Sequence, residues 1–175
     1  MLFRSHPRVA ETLHRMAIVD LHLAQRPSTW RMPDLLAGVR RAPAGPQLSR
    51  EDHLDRAQRG LERALAIREK ALGPDHPAVA SALQSLAAVH VELGHYAKAE
   101  ILMKRALAIV EKAMGPTHPA TANLLDYYAH ILGNARKDAA ADAEVKALKA
   151  RARAIRDAQV QRTSADSPRV PSPPR

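Results

Sequence analysis

The chain has 175 residues, which is enough for one ordinary domain, and it has no cysteine, so disulfide bonds and thiolate metal sites are excluded. Aromatic residues make up only 3% of it, which favours helices that pack through small side chains over a β-sheet. The formal net charge of +9 at pH 7 raises the question of an anionic partner, which depends on where the charges lie.

Two observations predict a cytoplasmic protein that does not enter a membrane. Nowhere do 18 apolar residues stand together, so we expect no transmembrane helix. Residues 1–7 reach an arginine and a proline before any apolar run that is long enough for a secretory signal.

The sequence repeats itself after 42 residues. Residues 63–67 return at 105–109, and residues 73–77 return at 115–119 with one change. A third copy, displaced by 70 residues, begins at His6-Pro7 and matches the stretch from His76-Pro77, so the first repeat carries 70 − 42 = 28 extra residues. A fixed period of about 20 to 50 residues is typical of repeat proteins, in which each unit buries its apolar face against its neighbours.

Each copy of the repeat predicts a helical hairpin. The residues before the three His-Pro pairs carry side-chain oxygens, so Ser5, Asp75 and Thr117 are the predicted N-caps, with proline in the first helical turn. The second helices are expected at about 54–72, 97–114 and 139–158. In the third hairpin, Gly133-Asn134 and residues 136–138 are alternative positions for the turn.

A buried stripe on the first helix is expected in all three copies: Leu13, Met16, Ala17 and Val19; Leu83, Leu86, Ala87 and Val89; Leu125, Tyr128, Ala129 and Ile131.

These elements predict five segments along the chain. The first hairpin spans 5–24 and 53–72, the second spans 73–114, and the third, with a capping helix, spans 115–158. Residues 25–52 form a Pro/Gly-rich insertion, and residues 159–175 are expected to be a disordered tail. The insertion is either a mobile loop or a loop that folds over the groove with Trp30 as an anchor.

The residues of the repeat resemble a known family. Residues 99–119 read AEILMKRALAIVEKAMGPTHP, and residues 57–80 carry nearly the same phrase. This phrase is similar to the tetratricopeptide repeat family in its 42-residue kinesin light chain type, and the resemblance is strong over residues 53–132. It implies an all-α fold: a short right-handed superhelical stack of about three helical hairpins with a disordered C-terminal tail.

The same resemblance implies that the first helix of each hairpin lines a concave groove, which binds a peptide segment of a partner protein. Two asparagines often follow the leucine of that helix in this type, but here each of the three pairs differs. The groove is therefore expected to be polar and of mixed charge, which suits hydrogen bonding to a peptide, unless these positions are simply solvated. The predicted groove residues are His14, Arg15, Gln84, Ser85, Asn123, Asp126, Tyr127 and His130.

Other site types find no support in the sequence. There is no glycine-rich phosphate loop, no nucleophile elbow and no His-Glu-x-x-His motif, so no catalytic residue, cofactor or metal site is expected, and the chain is not expected to be an enzyme. His6, His76 and His118 belong to the helix starts and are expected to be structural.

The positive charge leaves two alternatives to peptide binding. From residue 136 onward ten Lys/Arg and five Asp/Glu give 10 − 5 = +5 of the net charge, so the last helix and tail are candidates for contact with nucleic acid or an acidic surface. Acidic residues interleave with these charges and aromatic residues are scarce, so a nucleic acid is not the expected partner. The arginines concerned are Arg151, Arg153, Arg156, Arg162, Arg169 and Arg175. The other alternative is a fragment of a longer array, which self-associates through an uncovered end helix.

Overall fold

The computed structural model describes residues 6–25 and 48–165 of the chain, and within these ranges it shows six α-helices and no strand. The helices are α1 (Pro7–Ala24), α2 (Arg50–Leu72), α3 (Pro77–Glu92), α4 (Tyr96–Met114), α5 (Pro119–Ala135) and α6 (Ala139–Ala165).

The helices pack as three consecutive hairpins, which confirms the predicted all-α stack. α1 packs on α2, α3 on α4, and α5 on α6, while α2 also contacts α3 and α4 also contacts α5. The turn from α3 to α4 contains Gly94 at φ 74°, a left-handed conformation that a side chain would strain. The helix α5 continues through Gly133 and ends before Arg136, so the turn of the third hairpin lies at the later of the two predicted positions. There the Asp138 side chain accepts a hydrogen bond from the Ala141 amide at 2.7 Å. We call the α2–α3 contact the first junction and the α4–α5 contact the second junction.

The helix starts differ from the prediction in the residue that caps them. The N-caps of α1, α3 and α5 are His6, His76 and His118, whose Nδ1 atoms accept from the amide two residues later at 3.1–3.2 Å. Asp75 instead pairs with Lys112, the start of α5 is capped by His118 and not by Thr117, and Ser5 lies outside the described residues. The prediction that these histidines are structural is confirmed. The predicted oxygen caps at Asp75 and Thr117 are wrong, because the imidazole already satisfies the exposed amide.

Two segment boundaries also differ. The helix α2 begins at Arg50 and not at 54, because Ser49 and Asp52 form a reciprocal capping box, so the insertion ends before Ser49. The helix α6 continues to Ala165, so residues 159–165 are helical and not part of a tail. Residues 26–47, including Trp30, and residues 166–175 lie outside the described residues, and the expectations about them stay predictions.

The predicted stripe of the first helices is buried in the second and third hairpins, whereas on α1 Ala17 is buried and two other members are exposed. Val89 of α3 clusters with Leu61 of α2, and Ile131 of α5 clusters with Met103 of α4. The equivalent α1 positions, Met16 and Val19, are 60% and 57% exposed, so their predicted burial is wrong. The reason is that α2 and α4 cover the outer faces of α3 and α5, whereas no described helix precedes α1.

Candidate peptide-binding groove

A groove of about 260 Å³ opens at the second junction, between the first halves of α3 and α5 and above the end of α4. Its floor is apolar and its rim carries the neutral polar side chains of Ser81, Gln84 and Asn123. The lining residues are Pro77, Ala80, Ser81, Gln84, Val110, Met114, Ala120, Asn123 and Leu124. Such a site can hold the apolar part of a peptide while the rim hydrogen-bonds to its polar groups.

The first junction has the same positions, but an arginine of the chain fills them. Arg68 of α2 is buried, and its guanidinium donates to His14 Nδ1 at 3.0 Å, to the Ala78 carbonyl oxygen at 3.0 Å and to a Glu11 carboxylate oxygen at 2.9 Å. Val110 takes the position of Arg68 at the second junction, since 110 − 68 = 42. The second junction is therefore open where the first is filled.

The contacts of His14 define its tautomer. A guanidinium can only donate, so Nδ1 of His14 accepts from Arg68, and the ring proton lies on Nε2, which is 3.2 Å from the Ser85 hydroxyl. Burial, and next the charge of Arg68, lower the pKa of His14 below its ordinary value. Because His14 is buried and uses both nitrogens, it ties α1 to α2 and α3 and is not an open groove wall.

The remaining predicted groove residues lie in different surroundings. Gln84 and Asn123 share the groove at the second junction. Arg15 is exposed and pairs with Glu11 at 2.9 Å, Asp126 pairs with Arg156 of α6, and the backbone carbonyl oxygen of His130 accepts from the Asn134 side chain at 2.9 Å. The structure thus brings together only part of the predicted set, and its role in binding stays a prediction.

Tyr127 is half-buried on α5 and lies near α3. Burial, and next the negative charge of Glu92 on α3, raise the pKa of Tyr127. Its hydroxyl therefore stays protonated near neutral pH and is available as a hydrogen-bond donor.

Sequence reasoning missed Ser81, Val110 and Met114. The signal for Ser81 was present, because it occupies the repeat position of Asn123 (123 − 81 = 42), which was predicted. No comparable signal marked Val110, because a valine on a second helix looks like an ordinary core residue until the packing of Arg68 is known.

Several arginines at the basic end of the chain pair with carboxylates within the described residues. Arg151 pairs with Glu111 at 2.6 Å, Arg156 pairs with Asp126, and Arg153 lies 3.8 Å from Asp157. Arg169 and Arg175 lie outside the described residues. These pairs reduce the charge that α6 presents to a phosphate backbone.

Two other kinds of feature are absent from residues 6–25 and 48–165. In these ranges no three or more His, Asp or Glu side chains come together as metal ligands. None of the helices there combines the length and the apolar character that crossing a membrane requires.

Comparison with known proteins identifies the repeat. The model of the tetratricopeptide repeat family matches residues 48–112, which include α2, α3 and most of α4. Over these residues the chain is similar to the tetratricopeptide repeat family, and its helical hairpins agree with that similarity. Repeats of this family are typically non-catalytic interaction modules, which supports a general role as a scaffold for protein–protein contacts.

Two relatives match a short part of this chain. It is 49% identical to Nephrocystin-3 of Xenopus tropicalis over 49 residues, which are 28% of the chain and 4% of that protein. It is 52% identical to Nephrocystin-3 of Homo sapiens over 42 residues, which are 24% of the chain and 3% of that protein. The chain thus spans only a small fraction of the length of these relatives.

One solved structure resembles the whole chain weakly. The crystal structure of BtubC (BKLC) from P. vanneervenii is 19% identical, with a TM-score of 0.45, and the likeness covers 97% of this chain and 78% of that one. A likeness of this strength does not bear on function.

Proposed function

We propose that this protein is an interaction scaffold that binds a peptide segment of a partner protein in the groove at the second junction. The observation that carries the proposal is the combination of an apolar floor, which includes Val110 and Leu124, with the neutral polar rim of Ser81, Gln84 and Asn123. Main-chain groups of an extended peptide can hydrogen-bond to the rim while one of its side chains enters the groove. For a groove of this size, we expect modest affinity. A cytoplasmic location remains part of the proposal.

A selection of peptides on the full chain tests the proposal. We expect displayed random peptides to yield related sequences, and we expect Asn123→Lys to weaken their binding at least about tenfold in titration calorimetry, since it places a long charged side chain on the rim. Ile101→Lys is the matched control, because Ile101 is 69% exposed on α4 and does not line the groove. Failure to enrich any peptide, or equal loss in both variants, would contradict the proposal.

A second role, self-association, is favoured by the bare outer face of α1. Met16, Val19 and Leu23 are exposed there, although the equivalent α3 positions are covered by α2. At the opposite end, α6 carries the exposed Lys149 where Leu107 of α4 packs against the next hairpin (149 − 107 = 42). Head-to-tail stacking would bring this lysine to an apolar face. We therefore propose that two copies pair head to head through α1, about a twofold axis.

Sedimentation equilibrium over roughly 1 to 300 µM tests this pairing, since a small interface dissociates in that range. We expect a dimer whose dissociation constant rises at least about 100-fold in Met16→Glu/Val19→Glu, because the interface would bury unpaired charges. The Ile101→Glu variant should dimerise like the unmodified chain. A monomer at every concentration, or a dimer that the double variant leaves intact, would exclude pairing through α1.

A further inference from the structure

We propose that the groove at the second junction receives an arginine side chain of the bound peptide, in the place that the Arg68 side chain occupies at the first junction. This inference rests on the proposed function and specifies the chemistry of the partner. The chain itself is the reference, because its two junctions show the same site with and without a guanidinium.

The two sites correspond position by position. Glu11 and His14 of α1 correspond to Ser81 and Gln84 of α3, 70 residues later. On the other elements the offset is 42 residues: Arg68 corresponds to Val110, Leu72 to Met114, and Ala78 to Ala120. Leu72 and Met114 are similar apolar residues and are exposed to nearly the same extent, at 40% and 43%. At this position the rims of the two sites therefore correspond.

The hydrogen-bond acceptors also correspond. The Arg68 guanidinium donates to the imidazole of His14, to the Ala78 carbonyl oxygen and to the Glu11 carboxylate. At the second junction, the Gln84 amide oxygen, the Ala120 carbonyl oxygen and the Ser81 hydroxyl oxygen take these places. All three are acceptors, and a guanidinium carries five donors in a fixed planar fork.

The floor of the groove suits the rest of the arginine side chain. Val110 is much shorter than Arg68, so the volume that the arginine stem fills at the first junction belongs to the open groove at the second. Val110 and Met114 offer apolar surface on which the methylene stem of an incoming arginine can lie. The Glu11 carboxylate is replaced by the neutral Ser81, so recognition depends on hydrogen-bond geometry more than on charge.

Nuclear magnetic resonance on the full ¹⁵N-labelled chain tests this inference with two small probes. N-acetyl-arginine amide carries the proposed group, and N-acetyl-norleucine amide carries only an apolar stem. We expect the arginine probe to shift the side-chain amide signals of Gln84 and Asn123, with at least about tenfold higher affinity than the norleucine probe, because only arginine donates to the three acceptors. Gln84→Leu should remove most of this difference, since it deletes one acceptor.

The outcomes separate this inference from the proposed function. Equal shifts with both probes would overturn the arginine site and would leave an apolar peptide groove in place. No shift with the arginine probe would also overturn it, while the groove itself is judged by the peptide selection. Peptides that bind the groove and keep their affinity when every arginine is replaced by norleucine would contradict the inference in the same way.

Discussion

The two junctions between hairpins place equivalent residues around equivalent sites, yet they are completed differently. At the first junction Arg68 closes the site with hydrogen bonds to two other helices, α1 and α3. At the second, Val110 leaves the site open, and the contact between helices is mainly apolar, built around Tyr128, Ile131 and Leu132, with an ion pair of Glu100 and Arg136 at its edge. In this repeat protein, differences at a few repeated positions, above all Arg68 against Val110, therefore separate a structural contact from a candidate binding site.

The largest expected effect concerns the apolar packing on which the second junction depends. Ile131→Ala should lower the free energy of unfolding by roughly 3 kcal/mol, because it leaves a cavity at a fully buried position. Val19→Ala, at the same repeat position on the bare face of α1, should change it by less than about 0.5 kcal/mol. Urea unfolding of dilute protein measures the change in the free energy of unfolding for both variants. Equal losses would mean that the outer face of α1 is covered after all.

The next effect concerns the polar closure of the first junction. Arg68→Val gives the first junction the residue that the second one carries, and it leaves Nδ1 of the buried His14 without its donor, while Glu11 keeps only Arg15. We expect a loss of roughly 2 kcal/mol in the free energy of unfolding. Arg105→Ala is the control, because Arg105 pairs with Glu69 at 2.6 Å on the surface and should cost less than about 1 kcal/mol. If Arg68→Val lowers the free energy of unfolding no more than this control does, the hydrogen bonds of Arg68 do not stabilise the first junction.

The hairpins could be predicted from the sequence because they follow from local patterns. The His-Pro starts and Gly94 each act within one or two turns of helix, and the 42-residue period shows that the same local signals recur. The start of α2 was missed because its capping box pairs serine with aspartate in place of the usual glutamate. The burial of Met16 and Val19 was wrong for a non-local reason: they have the pattern of core residues, but no described helix covers them.

The candidate site was less predictable for a similar reason. Gln84 and Asn123 were predicted from their repeat positions and share the groove. His14 was expected on the groove wall, but Arg68, distant in sequence, buries it. The difference between Arg68 and Val110 gains meaning only when the packing of both junctions is known, so no local pattern reveals it.

A smaller effect is expected from pH at the first junction. The pKa of His14 lies below its ordinary value of 6.5, because of burial and then the charge of Arg68. The unfolded chain therefore takes up a proton near pH 6.5 that the folded chain does not, so the stability that His14 provides is complete above this pH and is lost as the pH falls below it. The folded-state groups that face this imidazole are Arg68 and Glu11.

His14→Gln tests this dependence. Glutamine is the residue that α3 carries at this position, and it can accept from Arg68 and donate to Ser85 without titrating. Between about pH 7.5 and pH 5 the variant should lose less stability than the unmodified chain, by less than the one-proton limit of about 1.4 kcal/mol per pH unit. His90, whose pKa is also lowered, mainly by burial, contributes equally to both proteins. Identical pH profiles would show that His14 does not sense pH.

The equivalence of the two junctions is tested most directly by the urea unfolding of Val110→Arg beside Ile109→Arg. The two positions are adjacent and equally buried, at 5% and 4% exposure, but only Val110 lines the groove. The arginine introduced by Val110→Arg should be accommodated as Arg68 is, at a cost below about 1 kcal/mol, whereas Ile109→Arg buries an unpaired charge and should cost at least about 3 kcal/mol. Equal destabilisation by the two variants would contradict the account, because it would show that the second junction is not built to hold a guanidinium.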